Sequence, residues 1–230
     1  MLVRDKRYKY LSDIILPNSC AFCSKVIRWD KLLCEDCKAD LPKMFSTDIS
    51  VKNCAGSYSV FVYENDIVDL IYRLKHGGSV YNFAELCALM IGEKLTGSGL
   101  TDKIDIVTAV PMNIRKRILR GHDQAELLAR FVADVLHKPS DMTMLRRSYD
   151  KTEQHKLSGS ERADHAQDVY YANEKHTDIT GKCIMLCDDV ITTGSTMSVC
   201  AGILKAMGAS EVYCCSAAIA ASNVKKEDSQ

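Results

Sequence analysis

Two adjacent carboxylates followed by several hydroxyls are the residues best suited to chemistry in this sequence of 230 residues. Asp188 and Asp189 end the apolar run of "IMLCDDVITTGSTMS" (184–198), and a helical pattern begins a few residues later. In parallel α/β proteins, ligands bind at the carboxyl ends of strands. The backbone N–H groups of a turn that enters a helix bind phosphate. Because the two acids would repel a phosphate but suit sugar hydroxyls, the stretch predicts a site for ribose 5-phosphate.

The turn after the acid pair supplies the groups that a phosphate needs. Gly194 would let the backbone approach the ligand closely. The hydroxyl donors would be Thr192, Thr193, Ser195 and Thr196. The sequence has neither G-x-x-x-x-G-K-[ST] nor G-x-G-x-x-G, which excludes a P-loop and a dinucleotide-binding fingerprint. The remaining alternative is a helix N-cap with incidental acids.

A basic segment, "VPMNIRKRILRGHDQ" (110–124), follows a short apolar strand pattern. Pro111 and Gly121 bracket what we interpret as a loop that turns its backbone toward a ligand. Arginine guanidinium groups match phosphate oxygens geometrically. The cations expected opposite the acid pair are Lys75, Arg115, Lys116, Arg117 and Arg120. A solvated basic face before a helix is the alternative interpretation.

The polar stretch 147–168 is long for a connection within one domain. Long irregular loops of this kind often close over active sites. Arg147, Lys151 and Arg162 are the candidates for stabilising charge during a reaction, and ordinary surface charges are the alternative for each of them.

Four cysteines near the N-terminus have the spacing C-x₂-C-x₁₀-C-x₂-C: Cys20, Cys23, Cys34 and Cys37. Two such knuckles predict a structural zinc ribbon, in which four thiolates leave no open coordination position. Redox cysteines or an iron–sulfur cluster are the alternatives. Trp29 lies between the knuckles among basic residues, where it could stack on a single-stranded base or pack against the main domain.

The remaining chain alternates strand and helix patterns. Strands are predicted at 104–110, 182–188 and 211–220, with helices at 121–137 and 195–209. This alternation predicts an α/β domain with a parallel sheet. The expected organisation is an N-terminal helix, ribbon and linker (1–50), the α/β domain (51–222) and a tail (223–230).

The composition is that of an ordinary globular protein. It is 47% hydrophobic, and 30 basic residues balance 30 acidic ones. Bulk charge therefore predicts neither a nucleic-acid nor a membrane partner, so any such binding needs a local patch. No signal-peptide pattern or membrane span is visible. Eleven cysteines, most of them in apolar segments, favour a reducing compartment, and we expect a cytoplasmic protein.

The stretch "IMLCDDVITTGSTM" resembles the phosphoribosyl-pyrophosphate (PRPP) signature of type I phosphoribosyltransferases. The resemblance implies that Asp188 and Asp189 hold the ribose hydroxyls and that residues 192–196 bind the 5-phosphate. It also implies Mg²⁺ held mainly by PRPP, and a mobile loop that closes over it. The PRPP-binding residues would be Asp188, Asp189, Val190, Ile191, Thr192, Thr193, Gly194, Ser195 and Thr196.

The order of motifs along the chain resembles the ComF family of competence and DNA-uptake proteins. The matching elements are Lys75 with Gly77 and Gly78, then Arg120, Gly121 and Gln124, then Arg147, Thr152, Gln154 and Arg162. His122, Asp123 and His165 depart from the residues that the family usually shows. The resemblance implies a role in DNA uptake, with single-stranded DNA and a competence helicase as partners. It leaves open an enzyme that releases pyrophosphate from PRPP and a non-catalytic PRPP or nucleotide sensor that binds single-stranded DNA.

Overall fold

The computed structural model describes residues 17–41, 50–76, 80–148, 169–175 and 177–220. The helices are α1 (Glu35–Ala39), α2 (Asp66–His76), α3 (Val80–Gly97), α4 (Ile114–Arg120), α5 (Gln124–Leu136) and α6 (Ser195–Ala206). The strands are β1 (Gly56–Tyr63), β2 (Ile106–Ala109), β3 (Leu145–Arg147), β4 (Tyr170–Ala172), β5 (Cys183–Ile191) and β6 (Glu211–Ala220). Several predicted features lie outside the described residues: the N-terminal helix, Gly77, Gly78, Lys151, Thr152, Gln154, Arg162, His165 and the C-terminal tail.

The central sheet has four parallel strands in the order β1-β6-β5-β2. Strands β5 and β6 are the inner pair, and β5 is buried along its first five residues. A strand buried on both faces needs a continuous apolar run, which "CIMLC" supplies. The carboxyl ends of β5 and β2 therefore lie side by side, and the predicted parallel α/β fold is confirmed.

Helices cover both faces of this sheet. Because side chains alternate along a strand, Met185 and Cys187 of β5 face one core cluster, while Ile184 and Leu186 face the other. Helices α2, α3 and α5 contribute to the first cluster, and α6 packs in the second through residues such as Met197. The antiparallel hairpin of β3 and β4 also joins the second cluster.

The cysteine-rich segment packs on the first face of the domain. Cys20 and Cys34 are buried in the same cluster as α2 and α3. The rings of Phe22, Phe61 and Phe83 have centroids 5.7 to 6.2 Å apart. Aromatic contacts at this spacing stabilise a core beyond the apolar area that they bury. The segment is therefore anchored to the sheet and to α3.

Two local predictions differ from the structure. The basic segment predicted as a loop is helical, and it forms α4. The side chain of Asn113 accepts a hydrogen bond from the N–H of Arg115, and Gly121 ends the helix with φ of 75°. These are a standard N-cap and C-terminal glycine. In addition, β5 continues past the acid pair to Ile191 instead of ending at Asp188. Within the described residues, no helix is long and apolar enough to cross a membrane.

Candidate phosphoribosyl site

The acid pair lies near the carboxyl end of β5, where the residues of the strand are only partly buried. The N–H of Asp189 donates to Oδ1 of Asp188 over 2.8 Å, and the N–H of Val190 donates to Oδ1 of Asp189 over 2.8 Å. Burial raises the pKa of Asp188 well above its usual value, and the charge of Asp189 raises it further. Two carboxyl groups this close do not both ionise readily. Asp188 therefore keeps its proton to higher pH than an ordinary exposed aspartate does.

A lysine from α2 neutralises the other acid. Nζ of Lys75 lies 3.1 Å from Oδ2 of Asp189, and the two side chains are 28% and 18% exposed. An ion pair with this degree of burial is screened less than one on the open surface. The structure thus brings together one predicted acid and one predicted cation that are more than a hundred residues apart in the sequence.

The turn after β5 leads into α6 and offers backbone N–H groups to a ligand. Gly194 is the N-cap of α6, with φ of 76° and no side chain that could cap the helix. The N–H of Ser195 donates to Oγ1 of Thr193 over 3.4 Å. A Cβ at Gly194 would lie 3.3 Å from Cγ2 of Val51, so this position also needs a small residue. The hydroxyls of Thr193 and Ser195 lie 2.8 Å apart. Backbone donors without a side-chain cap at a helix N-terminus suit a phosphate.

The nine predicted PRPP-binding residues do not all face the same way. Ile191 is 2% exposed and packs in the second core cluster, so its side chain supports the turn from inside. Thr192 and Thr193 are exposed, whereas Ser195 and Thr196 are partly buried at the start of α6.

A cavity of about 220 Å³ lies at the carboxyl end of β2. Arg117 of α4 lines it together with Arg146 and Arg147 of the hairpin. Arg117 is also paired with Glu126, with Nη2 and Oε2 3.1 Å apart. Cations from two separate parts of the sequence therefore share one cavity, together with the carboxyl groups of Asp123 and Glu126.

The other predicted cations have different surroundings. Arg115 and Lys116 are exposed on α4. Arg120 donates from Nη1 to Oε1 of Gln124 over 3.0 Å. Among the described residues, Nε2 of the buried Gln124 is one of two buried side-chain N or O atoms with no hydrogen-bond partner. Arg120 therefore orients Gln124 rather than lining the cavity.

The two family departures within the described residues build the connection between β2 and α5. Asp123 caps α5 by accepting from the N–H of Glu126 over 3.1 Å, and its other oxygen accepts from the N–H of Met112 over 3.2 Å. Burial raises the pKa of this carboxyl above its usual value. Asp123 is thus the N-cap of α5, and the second bond fixes the chain that leaves β2.

His122 connects this region to α2. Its Nδ1 lies 2.9 Å from the carbonyl oxygen of Arg120, and its Nε2 lies 2.9 Å from the carbonyl oxygen of Leu74. Leu74 immediately precedes Lys75, so His122 helps to place the lysine that contacts Asp189. Because both partners are carbonyl oxygens, a neutral imidazole donates to only one of them at a time.

Tyr170 is a site residue that the sequence analysis missed. It pairs with Arg147 across the hairpin, and the Arg147 guanidinium carbon lies 5.4 Å from its ring centroid. Burial raises the pKa of its hydroxyl to about 12, and the charge of Arg147 opposes this rise. Tyr170 therefore links the hairpin to the core cluster that also contains Met197 of α6. Only the "YY" pair after the polar stretch hinted at a strand here.

The four ribbon cysteines converge as predicted. Their sulfur atoms all lie within 4.8 Å of one another, and those of Cys23 and Cys34 are 3.7 Å apart. A tetrahedral zinc site with Zn–S bonds of about 2.3 Å places its sulfurs about 3.8 Å apart. The N–H of Cys34 donates to the sulfur of Cys20, and that of Cys37 to the sulfur of Cys34. The donor set therefore fits a tetrahedral metal ion.

The electrostatics of Cys20 also suit metal binding. Burial works to raise its pKa, but backbone N–H groups of Cys23, Cys34 and Phe22 lower the pKa to about 7. A thiolate at neutral pH is the form that binds zinc. Of the seven remaining cysteines, six are buried as expected, and Cys54 is only partly buried.

The chain is similar to several known proteins. The phosphoribosyl transferase domain matches residues 122–230. DNA utilization protein YhgH from Escherichia coli (strain K12) is 29% identical over 209 residues, which cover 85% of this chain and 88% of that protein. Competence protein F from Haemophilus influenzae is 26% identical over 108 residues, 47% of each chain. Among solved structures, purine phosphoribosyltransferase from Pyrococcus horikoshii Ot3 is 19% identical, with a TM-score of 0.38 over 60% of this chain and 73% of that one.

The domain match covers the acid pair and the phosphate turn, and the YhgH relatives extend over most of the chain. The order of motifs had predicted the same relationship. The domain match and the named relatives support a ComF-family type I phosphoribosyltransferase fold for this chain.

Proposed function

We propose that the protein binds PRPP with Mg²⁺ across the carboxyl ends of β5 and β2. The observation that supports this most is the acid pair, which is held between Lys75 and the phosphate turn of α6. Asp188 and Asp189 would accept hydrogen bonds from the ribose hydroxyls, while the first turn of α6 would donate to the 5-phosphate. The carboxylate oxygens also suit Mg²⁺, a hard cation that keeps phosphate oxygens among its ligands.

The pyrophosphate of PRPP would extend toward the cavity at β2. Arg117, Arg146 and Arg147 line that cavity, and Lys75 lies at the acid pair. When a nitrogen nucleophile attacks C1 of the ribose, the bond from C1 to the pyrophosphate oxygen breaks and negative charge grows on the leaving group. Fixed cations stabilise the growing negative charge on the leaving pyrophosphate more than they stabilise bound PRPP. This difference lowers the barrier to transfer. We therefore propose phosphoribosyl transfer with release of pyrophosphate. Lys151 and Arg162 remain proposed catalytic residues beside Arg147.

Turnover is tested by a coupled assay for pyrophosphate. The protein is mixed with PRPP, Mg²⁺ and either ammonia or one of a panel of nucleobases. Release that depends on both an acceptor and the protein supports the enzyme. The matched control is Asp188→Asn combined with Asp189→Asn, which should release none. PRPP binding without release for any acceptor would contradict transfer and favour the sensor.

The second candidate is a PRPP or nucleotide sensor that binds single-stranded DNA. The relatives named for DNA utilization and competence and the surface of α4 favour it. Helix α4 exposes Arg115 and Lys116 together with Ile118 (74% exposed) and Leu119 (85% exposed). Cations beside exposed apolar side chains can contact a nucleic-acid backbone and its bases.

DNA binding is tested by fluorescence anisotropy of a labelled oligonucleotide at two salt concentrations. Affinity should fall steeply with salt if cations contact phosphates. Arg115→Ala with Lys116→Ala should weaken binding, whereas Lys103→Ala, at the amino end of β2, should not. Equal binding by both variants would exclude α4 as the DNA surface.

A further inference from the structure

Two cysteines outside the ribbon have sulfur atoms in unusually close contact. The sulfurs of Cys54 and Cys214 lie 2.7 Å apart, and the residues are 160 positions apart in the sequence. A disulfide bond is about 2.05 Å long, so only a small movement separates this dithiol from a bond. Cys54 is partly buried, and Cys214 is 0% exposed.

The backbone beside this pair is already held in place. The N–H of Ala55 donates to the carbonyl of Val212 over 2.7 Å, and Gly56 pairs with Tyr213 as β1 joins β6. Cys54 precedes this parallel pairing and Cys214 lies within it. A covalent bond would therefore extend an existing contact between the start of β1 and the middle of β6.

The segment that carries Cys54 also supports the phosphate turn. Val51 contacts the position of Gly194, and the side-chain amide of Asn53 donates to the carbonyl of Ser198 over 3.0 Å. A bond at Cys54 would hold residues 51–54 against the N-terminal half of α6. The fold thus couples this dithiol to the loop that follows the acid pair.

The pair differs from the other cysteine contacts in its accessibility. The sulfurs of Cys187 and Cys215 lie 3.3 Å apart, but both residues are 0% exposed. The four ribbon cysteines are the ones that fit a metal. Cys54 has exposed neighbours on both sides, Asn53 and Ala55. A small oxidant can therefore reach Cys54 while it cannot readily reach the buried thiols.

We propose that Cys54 and Cys214 form a redox modification site, at which hydrogen peroxide or a similar small peroxide converts the dithiol to a disulfide. The sulfur of Cys54 attacks one peroxide oxygen, the O–O bond breaks, and one water molecule leaves as Cys54 becomes a sulfenic acid. The sulfur of Cys214 then attacks that of Cys54, and a second water molecule leaves with the proton of Cys214. Two thiols thereby lose two electrons, which reduce one peroxide to two waters.

Contact with Cys54 and burial both raise the pKa of Cys214 well above its usual value. Cys214 therefore stays protonated until Cys54 has been oxidised, which assigns the first step to Cys54 and the resolving step to Cys214. This order of reaction agrees with the partial burial of Cys54 and the full burial of Cys214.

The test uses the full chain, reduced and loaded with zinc, treated with one equivalent of hydrogen peroxide. Free thiols are then alkylated, and the digested protein is mapped by mass spectrometry. We expect the peptide that contains Cys54 to be linked to the peptide that contains Cys214. Cys54→Ser and Cys214→Ala should each abolish the link, while Cys187→Ala should leave it intact. Mapping of the wild-type protein answers the question even where a variant fails to fold.

The outcomes are distinct. Alkylation of both Cys54 and Cys214 after oxidation would overturn the proposal, as would a link from Cys54 to Cys200 or to a second chain. A second readout is hydrogen exchange of the linked protein without any ligand, which keeps it independent of PRPP binding. Slower exchange at residues 51–54 and in the first turn of α6 would support the coupling. Unchanged exchange there would contradict it.

Discussion

The ammonium group of Lys75 lies 3.1 Å from Oδ2 of Asp189, so the end of α2 closes an ion pair over the acid pair of β5. His122 holds the same end of α2 through its bond to the carbonyl of Leu74. Helix α2 is therefore tied both to the acid pair and to the chain that follows α4. A ligand that carries hydroxyls for the acids and phosphates for the cations would meet both groups at once.

Replacing Lys75 by methionine should weaken PRPP binding at least about tenfold, because a charge-assisted contact is worth about 1.5–3 kcal/mol. Isothermal titration calorimetry with Mg²⁺ measures the change. Lys103→Met is the matched control, since it removes an exposed lysine at the opposite end of the sheet. Unchanged or tighter binding by Lys75→Met would mean that the lysine only blocks Asp189.

Replacing Asp188 by asparagine should raise thermal stability, and the gain should grow with pH. Asparagine keeps an oxygen that accepts the N–H of Asp189. In the unfolded chain Asp188 loses its proton near its usual pKa, but in the folded protein the pKa is raised by burial and by Asp189. The folded state therefore binds more protons, and wild-type stability falls as pH rises from about 4 toward the raised pKa.

Thermal unfolding of the wild type and of Asp188→Asn, followed by circular dichroism between about pH 5 and pH 8, measures this effect. The difference in Tm should be larger at the higher pH. A difference that is constant or shrinks with pH would mean that Asp188 ionises normally in the folded protein.

The four ribbon cysteines should hold one zinc ion per chain, and Cys23→Ser should lose it. Cys54→Ser should retain the metal, because Cys54 lies outside the cluster. Elemental analysis of the purified proteins measures the content. Since Cys20 and Cys34 are part of the first core cluster, removal of zinc by a chelator should also lower Tm. Full zinc content in Cys23→Ser would contradict the assignment.

Tyr170→Phe should weaken PRPP binding by about two- to tenfold, because it removes a hydroxyl that interacts with Thr196 of the phosphate turn, and a neutral hydrogen bond is worth about 0.5–1.5 kcal/mol. Tyr171→Phe is a close control, because Tyr171 is the next residue in the chain and is 50% exposed. Calorimetry with PRPP and Mg²⁺ compares the two variants. Equal affinities would show that the hairpin does not support the phosphate turn.

Contiguous motifs explain why part of this site could be predicted from the sequence. Asp188, Asp189 and Gly194 follow one another at the end of a buried strand, so their joint position depends only on local structure. The four ribbon cysteines likewise have a spacing that a metal ion requires. In both sets, the spacing along the sequence is enough to predict which residues lie close together.

Contacts between distant segments could not be predicted in the same way. The pairing of Lys75 with Asp189, of His122 with Leu74 and of Cys54 with Cys214 depends on the order of strands and on how helices pack across them. Tyr170 enters the site only because β4 pairs with β3. No local pattern carries that information.

Helix α4 differs from the loop that the sequence predicts there, and the reason is its short length. Its N-cap Asn113 and its C-terminal Gly121 were both visible in the sequence, but Pro111 and the cluster of charges favoured a loop. A seven-residue helix has too few turns to show a clear apolar period. Its capping residues were the better guide.

The most direct measurement is calorimetric titration of PRPP with Mg²⁺ into the wild type and into the variant that combines Asp188→Asn with Asp189→Asn, after both have been shown to fold and to contain zinc. We expect binding by the wild type and none by the variant. Equal binding by both proteins, or binding by neither, would contradict the assignment of the acid pair and of the turn at Gly194 to PRPP.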